Sequence, residues 1–569
     1  MDDESSSAAD MLLMMKEETS SVTSTASRKK GLKVLFLSSD TGGGHRASAE
    51  SLAKQFQILF PGTTYDIMDV VENVSVPPYN GLVKAYKHLS SHPSQWKLVY
   101  SVSNSRAFEM LADAHLKLTC ERAVRKVIMK SGPDVVVSVH PLMTNVPVLS
   151  CSKISNETGR HLPMFTVVTD LGSAHCLWFA NGVEKMFIGS EQVRELAKSR
   201  GKVPDDKLVM SGLPIRHDFA VQAENMGDRM SPQGKLYQLQ VRQNLGLTYT
   251  NRKTILVMGG GEGVGSLANI VDALYVEFLS QGIDASILVV CGRNEKLKND
   301  LETRDWEAVF KRWSAAKERF TTSTGIMAMS SDMCGPSLAT PGCIERGTVT
   351  GSIRRMLSKS SLTLSNAVST PFPTTEEEGE EQQYVVHDEK KASELELDIA
   401  SMAQSSMAKK VVAKESPTEH TQSLVGRKRG SGKVEVVGLG FITEMAKYMV
   451  ASDVLVSKAG PGTISEATAV SLPILLTSYL PGQEEGNVDF VIDGGFGAYC
   501  DDSDPLAIAE ELCMWLNDDK KLNTLSKAAH AKGAPHAARD IARVIGESTL
   551  KWIDLNDEKA NPEARKVKK

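Results

Sequence analysis

The residues best suited to chemistry in this chain of 569 residues lie in Asp40-Thr-Gly-Gly-Gly-His-Arg-Ala-Ser-Ala-Glu50, directly after the apolar run Val34-Leu-Phe-Leu37. Three glycines permit a sharp turn that brings N–H groups close to a ligand. The start of a following helix adds partial positive charge, which favours phosphate. His45 has an ordinary pKa suited to proton transfer near neutrality. The same turn, read as Gly42-x-Gly44-x-x-Ala47, also satisfies a relaxed dinucleotide fingerprint, with Asp69 as the acid for a ribose. Taken alone it leaves both a proton-transfer site and a nicotinamide-dependent oxidoreductase open. Further along come Gly259-Gly-Gly-Glu-Gly263, Cys291-Gly-Arg-Asn294, Gly438-Leu-Gly-Phe-Ile442, Lys458-Ala-Gly-Pro-Gly-Thr463 and Pro481-Gly-Gln-Glu-Glu-Gly-Asn487.

Such turns need strands before them and helices after them. From Lys33, short apolar runs alternate with amphipathic stretches, the pattern of a doubly wound α/β domain. After the first strand, Leu52, Phe56 and Leu59 share one helix face, and Pro61-Gly62 ends that helix. Further strands are expected at Thr64–Val71, Asp134–Val139, Met164–Val168, Lys185–Ile188 and Leu208–Met210. Ligands in these folds sit at the carboxyl ends of strands, where His140, Asp170 and Gly212 fall. The pattern restarts near Lys253, with strands at Thr254–Met258, Ser286–Val290, Val434–Val437, Val454–Ser457 and Pro473–Leu476, and with closing helices at Pro505–Leu516 and Leu522–Val544. Two Rossmann-like domains therefore face a cleft. The expected organisation is a disordered N-terminus (1–30), a first domain (31–235), a second domain (250–310 with 434–545), and a charged tail (557–569). Residues 311–433 form a long insertion in the second domain. Its Ser/Thr clusters and the acidic run Glu376-Glu-Glu-Gly-Glu-Glu381 cannot build a core, so it is expected to be disordered.

A net charge of −5 and a pI near 6.2 argue against a general nucleic-acid binder. The eight cysteines have no C-x-x-C spacing and read as reduced thiols. No stretch approaches the roughly 18–20 apolar residues of a membrane-spanning helix, and the acidic, Ser/Thr-rich start does not read as a transit peptide. Residues 79–130 differ from the rest. They hold nine Lys and Arg against three Asp and Glu, about +6 by subtraction, with Tyr79, Tyr86, Trp96 and Tyr100 among them. The segment reads either as a solvated helical face with core aromatics or as an amphipathic surface for an anionic membrane, anchored by Trp and Tyr.

The ordered set DTGGGHRASAE, SVHPLM, FTVVTDL, GLPIR, MGGGEG, VCGRN, GFITEM, KAGPGTISEA and LPGQEEGNV resembles the monogalactosyldiacylglycerol synthases, two-domain glycosyltransferases of the GT-B fold (family 28-like). The resemblance spans about Lys33–Phe310 and Val434–Val544. It implies transfer of galactose from UDP-galactose to 1,2-diacylglycerol with inversion, giving monogalactosyldiacylglycerol and UDP, and it gives His45 the part of general base. Arg216 and the N–H groups of Gly460, Gly462 and Thr463 would then neutralise the departing UDP without metal or other cofactor. Glu466 would bind the ribose, Phe441 and Ile442 would border the uracil, and Gln483, Glu484 and Asn487 would meet the sugar or phosphates. Gly261, Glu262, Arg293 and Pro461 complete the donor side. Gly43, Gly44, Trp96 and Asp170 belong to the acceptor and membrane side. The Asp502-x-Asp504 pair precedes Pro505 and reads as a helix cap. Diacylglycerol and anionic membrane lipid are the implied partners, the latter as an activator. The implied location is peripheral, at the plastid envelope; with no transit peptide visible, a cytosol-facing membrane or a truncated gene model are alternatives. Two departures bear on the acceptor side: His175 is followed by Cys176, and Ala180 follows Trp178-Phe179 where relatives have a second histidine. A diacylglycerol glucosyltransferase and a non-catalytic lipid-surface protein are the competing readings.

Overall fold

The computed structural model describes residues 31–39, 43–69, 81–90, 92–247, 249–259, 267–315 and 432–560. Six strands, β1 (Lys33–Ser38), β2 (Thr64–Asp69), β3 (Val135–Ser138), β4 (Met164–Val167), β5 (Met186–Ile188) and β6 (Leu208–Met210), form a parallel sheet in the order β2-β1-β3-β4-β5-β6. Phe36 of β1 pairs in register with Ile67 on one side and Val137 on the other. Both faces of β1 are buried, which is why it reads as a continuous apolar run rather than an alternating one. Val34 and Phe36 pack with Leu52 and Phe56 of the Gly43–Leu59 helix, while Leu35 and Leu37 pack with Val124 and Ile128 of the Glu121–Ser131 helix.

The second sheet repeats the plan. Strands β7 (Lys253–Met258), β8 (Ala285–Val290), β9 (Val434–Leu439), β10 (Val454–Ser457), β11 (Ile474–Leu476) and β12 (Gly497–Tyr499) run parallel in the order β12-β11-β10-β7-β8-β9. β12 has no counterpart among the expected strands. It is a three-residue edge strand after Gly494-Gly495, too short to show periodicity. The insertion enters the sheet between β8 and β9, and its residues 316–431 lie outside the described residues, as do 1–30 and 561–569.

The chain crosses between the domains twice. The helices His217–Met226 and Pro232–Asn244 bury Phe219, Met226 and Val241 with Leu256 and Leu288 of the second sheet, although 217–235 were expected to close the first domain. Arg229 pins this crossing. Fully buried, it donates to the carbonyls of Val470 (2.8 Å), Met449 (2.9 Å) and Ser452 (2.5 Å) at helix ends, where the last carbonyls have no partner within their own helix. The return crossing is at the other end of the chain. The single helix expected over Leu522–Val544 is two, Asp519–Lys532 and Ala537–Ala560, because Pro535 supplies no N–H and pushes Ala534 out of helical geometry. The Ala537–Ala560 helix seats Ala538, Ile541, Ala542 and Ile545 in the core of the first sheet. It also runs into the stretch expected to be a charged tail, reaching Ala560, and just before that stretch Asn556 accepts from the His161 N–H (2.8 Å) and donates to its carbonyl (2.9 Å). Both sheets belong to one compact unit.

Ile541 is fully buried between this helix and the first sheet. Ile541→Ala is expected to cost about 2–5 kcal/mol in urea unfolding. A loss below about 1 kcal/mol would contradict the seating of the last helix on the first domain.

Candidate active site

In the first sheet, β2 and β3 lie on opposite sides of β1, so the order reverses there and a crevice opens at the carboxyl ends of β1 and β3. His45 and His140 both reach it. His45 stands in the first turn of the Gly43–Leu59 helix, and His140 follows β3; their rings meet edge to face with centroids 4.7 Å apart. His45 Nδ1 is 2.9 Å from Thr169 Oγ1 just past β4, and its ring lies 6.0 Å from that of Trp178. The Trp178 indole N–H donates to Asp170 at 2.6 Å. Burial lowers His45 to about 4, against a raising hydrogen bond to the Val139 carbonyl. Burial raises Asp170 to about 6; the Trp178 bond opposes this and the charge of Glu484 adds to it. His45 is thus a neutral acceptor of protons at pH 7, and Asp170 a carboxylate close to its titration point. Gly43 and Gly44 are exposed, with open space where a Cβ would stand, so the helix start leaves room above His45.

The second sheet has its own reversal, between β7 and β10. Gly460 caps the Pro461–Ala469 helix there, with Pro461 at its first position, a start whose free N–H groups suit an anion. Gly462 and Thr463 lie in its first turn. Glu466, one turn on, receives a bidentate pair from Arg216 at 2.8 and 2.9 Å, with Arg216 at the cap of the first crossing helix. Burial raises Glu466, and the Arg216 bonds oppose it. Glu484 is buried and both of its oxygens are engaged, one by Lys458 Nζ (2.8 Å) and one by the Leu480 N–H (3.0 Å). The composition of the KAGPGT turn named its glycines; the cation Lys458 is the member that sequence reading left out. Ile442 is partly buried, Phe441 is 73% exposed, and Arg293 is exposed after β8, so these three form a rim rather than a packed wall. Gly261 and Glu262 lie outside the described residues. Asp504 accepts from the Ala507 N–H at 3.1 Å and caps a helix.

The two crevices are joined by direct contact. Gly172 and Gly486 touch backbone to backbone, with no space for a Cβ on either. Asn487, fully buried, accepts from the Gly172 N–H (3.0 Å) and donates to the Ala459 carbonyl (3.0 Å), and Ser173 Oγ accepts from the Gly486 N–H (2.7 Å). Asn487 therefore spans the two halves rather than facing only a ligand.

The aromatics of 79–130 depart from the membrane-anchor expectation. Tyr79 lies outside the described residues. Trp96 turns inward against Tyr86 (5.1 Å) and Tyr100 (6.0 Å), because two successive short helices, Leu82–Ser90 and Pro93–Ser103, fold against each other over the loop 481–484, the donor loop of the resemblance, where Tyr100 meets Gly482. Burial, with the charges of Glu484 and Asp170, pushes the Tyr86 hydroxyl up to about 12, and the Gln483 amide beside it opposes this. The Trp96 indole N–H and Gln483 Oε1 are buried with no hydrogen-bond partner among the described residues, two polar atoms that a bound ligand would satisfy. His175 is engaged locally: its Nδ1 accepts from the Leu177 N–H (3.3 Å), and its Nε2 is 3.3 Å from Ser103 Oγ.

The family profile described as monogalactosyldiacylglycerol (MGDG) synthase matches residues 45–215, and that of the glycosyltransferase family 28 C-terminal domain matches 358–541. The chain is similar to the monogalactosyldiacylglycerol synthases and, in its second half, to the family 28 glycosyltransferases. Its relatives include monogalactosyldiacylglycerol synthase 1, chloroplastic, of Arabidopsis thaliana, 26% identical over 92% of this chain and 72% of that one. Another is a probable monogalactosyldiacylglycerol synthase, chloroplastic, of Nicotiana tabacum, 27% identical over 90% of this chain and 70% of that one. A crystal structure of Acinetobacter baumannii MurG aligns with TM-score 0.43 at 11% identity, over 91% of this chain and 99% of that one. The first profile ends within the Gly212-Leu-Pro-Ile-Arg216 turn, and the second takes in β9 to β12 of the second sheet but not β7 and β8.

Gly172→Ala should push the two loops apart. The expected result is faster amide hydrogen exchange at 170–176 and 484–487, with the cores of both sheets unchanged; exchange as slow as in the parent would mean that this contact does not hold the halves together.

Proposed function

We propose that this chain transfers galactose from UDP-galactose to the free hydroxyl of 1,2-diacylglycerol, forming monogalactosyldiacylglycerol and UDP with inversion. The observation that carries the reading is the joining of two unlike crevices, one with a neutral histidine beside a carboxylate and the other with a helix start flanked by two cations. His45 accepts the hydroxyl proton as the acceptor oxygen bonds to the anomeric carbon. The carbon–oxygen bond to the diphosphate breaks with its electron pair on UDP, whose charge is met by the N–H groups of Gly460, Gly462 and Thr463 and by Arg216 and Lys458. Without nucleotide, Glu466 and Glu484 hold those two cations in place. When donor binds, Glu466 exchanges Arg216 for the ribose hydroxyls. The diphosphate's negative charge also raises the low pKa of His45, which strengthens it as a base in the donor complex. Asp170, oriented by Trp178, receives a glycerol-side contact, and Gln483 with the Trp96 indole meets the sugar or glycerol. Phe441, Ile442 and Arg293 border the nucleotide. No step in this scheme calls on a metal.

A base contributes roughly 10²–10⁴-fold to such a reaction. His45→Ala should lower kcat by that factor with UDP affinity kept within about threefold, by product-binding calorimetry; loss of UDP binding would make His45 structural. Asp170 loses its charge as pH falls through about 6, whereas His45 stays neutral to about 4 in the free protein. The acid limb of kcat/KM is therefore expected near pH 6, and to move lower in Asp170→Asn; an unmoved limb would rule Asp170 out of acceptor contact. Parallel assays with UDP-galactose and UDP-glucose on diacylglycerol test the donor, and preferred use of UDP-glucose would replace this reading by the glucosyltransferase one.

The acceptor is a membrane lipid, and the surface beside the acceptor crevice suits one. No helix among the described residues is long and apolar enough to cross a membrane. The Pro93–Ser103 and Arg106–Thr119 helices instead expose Leu98, Met110, Leu111 and Leu118, the last two 70% and 86% exposed, with Lys97, Arg106, Arg122 and Lys126 exposed around them. We read this as peripheral docking on an anionic leaflet, each basic residue contributing about 1 kcal/mol near the surface. The chloroplastic relatives support the plastid envelope as its place. Replacing Leu111 and Leu118 together by Glu should weaken binding to phosphatidylcholine–phosphatidylglycerol vesicles at least tenfold. Unchanged vesicle binding would move the docking surface elsewhere.

A further inference from the structure

Tyr100 links the two surfaces that the proposed reaction uses. It lies on the inner face of the Pro93–Ser103 helix, buried, with its hydroxyl donating to the Ser173 carbonyl at 2.7 Å. Its ring rests on Gly482 of the donor loop so closely that a Cβ there would stand 2.7 Å from a ring carbon, and Gly482 holds a left-handed φ of +80°. Gln483 and Glu484 follow directly. The outer face of the same helix exposes Leu98, Val99 and Val102.

The helix is also tied to the donor side by a second route. At its C-terminal end, Asn104 Oδ1 accepts from the Cys176 N–H (3.1 Å), and the loop containing Cys176 carries Ser173, which binds the Gly486 N–H. An eleven-residue helix is marginal by itself, so its order depends on what covers both faces. The donor loop covers the inner one through Tyr100, and a lipid surface would cover the outer one.

We propose that Tyr100 is a positioning residue through which lipid docking and donor binding strengthen one another. The proposal rests on the transferase reading. A lipid surface that orders the helix presses the Tyr100 ring onto Gly482 and holds Gln483 and Glu484 at the sugar; donor that orders the loop holds the helix for the lipid. Because coupling of two binding equilibria is reciprocal, the factor by which vesicles tighten donor binding must equal the factor by which donor tightens vesicle binding.

The test uses the full chain, UDP-galactose, and phosphatidylcholine–phosphatidylglycerol vesicles without diacylglycerol. In the parent protein, vesicles should lower the Kd for UDP-galactose at least fivefold, and UDP-galactose should raise vesicle partitioning by the same factor. Tyr100→Ala should bring both factors to about one. Tyr100→Phe, which keeps the ring on Gly482 but loses the Ser173 bond, should retain part of the coupling. Gly482→Ala gives a second route that leaves the first domain untouched: its methyl group displaces the loop from the ring and should also abolish coupling. No coupling in the parent, or full coupling in both Tyr100→Ala and Gly482→Ala, would overturn this proposal alone. Failure of the parent to bind UDP-galactose at all would overturn the transferase reading and this proposal with it.

Discussion

The arrangement depends on one close approach, the backbone contact of Gly172 with Gly486. Each glycine lies just past the carboxyl end of a strand or loop in its own domain, and neither has room for a side chain beyond hydrogen. Asn487, fully buried, then links Gly172 to the Ala459 carbonyl through two hydrogen bonds, and a lost partner there would leave an amide or carbonyl unsatisfied at a cost of about 1–3 kcal/mol. Without this approach the first sheet's His45, Thr169 and Asp170 and the second sheet's Lys458, Glu466 and Glu484 would be two half-sites with no shared ligand.

Around that contact the charged groups are arranged in opposed pairs. Arg216 with Glu466, and Lys458 with Glu484, hold two cations beside the Gly460 helix start, where the proposed reaction places the diphosphate. A partly exposed pair of this kind contributes little to stability, so its value lies in holding geometry for a ligand that brings its own negative charge. The acceptor side works the other way. Burial keeps His45 neutral and draws Asp170 toward its titration point, and these two environments give neighbouring groups different proton affinities at one pH.

The crossings of the chain make the two halves one compact unit. Helices between residues 217 and 244 belong to the second core by packing, and the Ala537–Ala560 helix belongs to the first, so each domain is completed by a segment from the far side of its sequence boundary. Two helices that bury a face against the neighbouring sheet limit how far the halves can separate, and they leave the loops at the strand ends as the parts free to respond to ligands.

Much of this was legible in the residues themselves. Strand positions followed from apolar runs too continuous for a one-sided sheet, and the glycine turns at their ends marked where backbone N–H groups would be open to a ligand. Residue type and position relative to a strand end, which are local properties, marked His45 and Asp170 as candidates, and the resemblance carried by the ordered motifs added Arg216, Glu466 and the KAGPGT helix start. Partnership is not local. Which carboxylate would hold Lys458, whether Asn487 would face a ligand or span the halves, and which core would receive the last helix are settled by contacts between residues hundreds of positions apart. The same holds for 79–130: composition left a helical face with core aromatics and an amphipathic surface both open, and only packing decided that Tyr86, Trp96 and Tyr100 turn inward to the donor loop while Leu98, Leu111 and Leu118 are left facing out. Aromatics and aliphatics on a short helix have equal claims to a buried face until the neighbouring surface, with its buried carboxylate and glycine turn, selects between them.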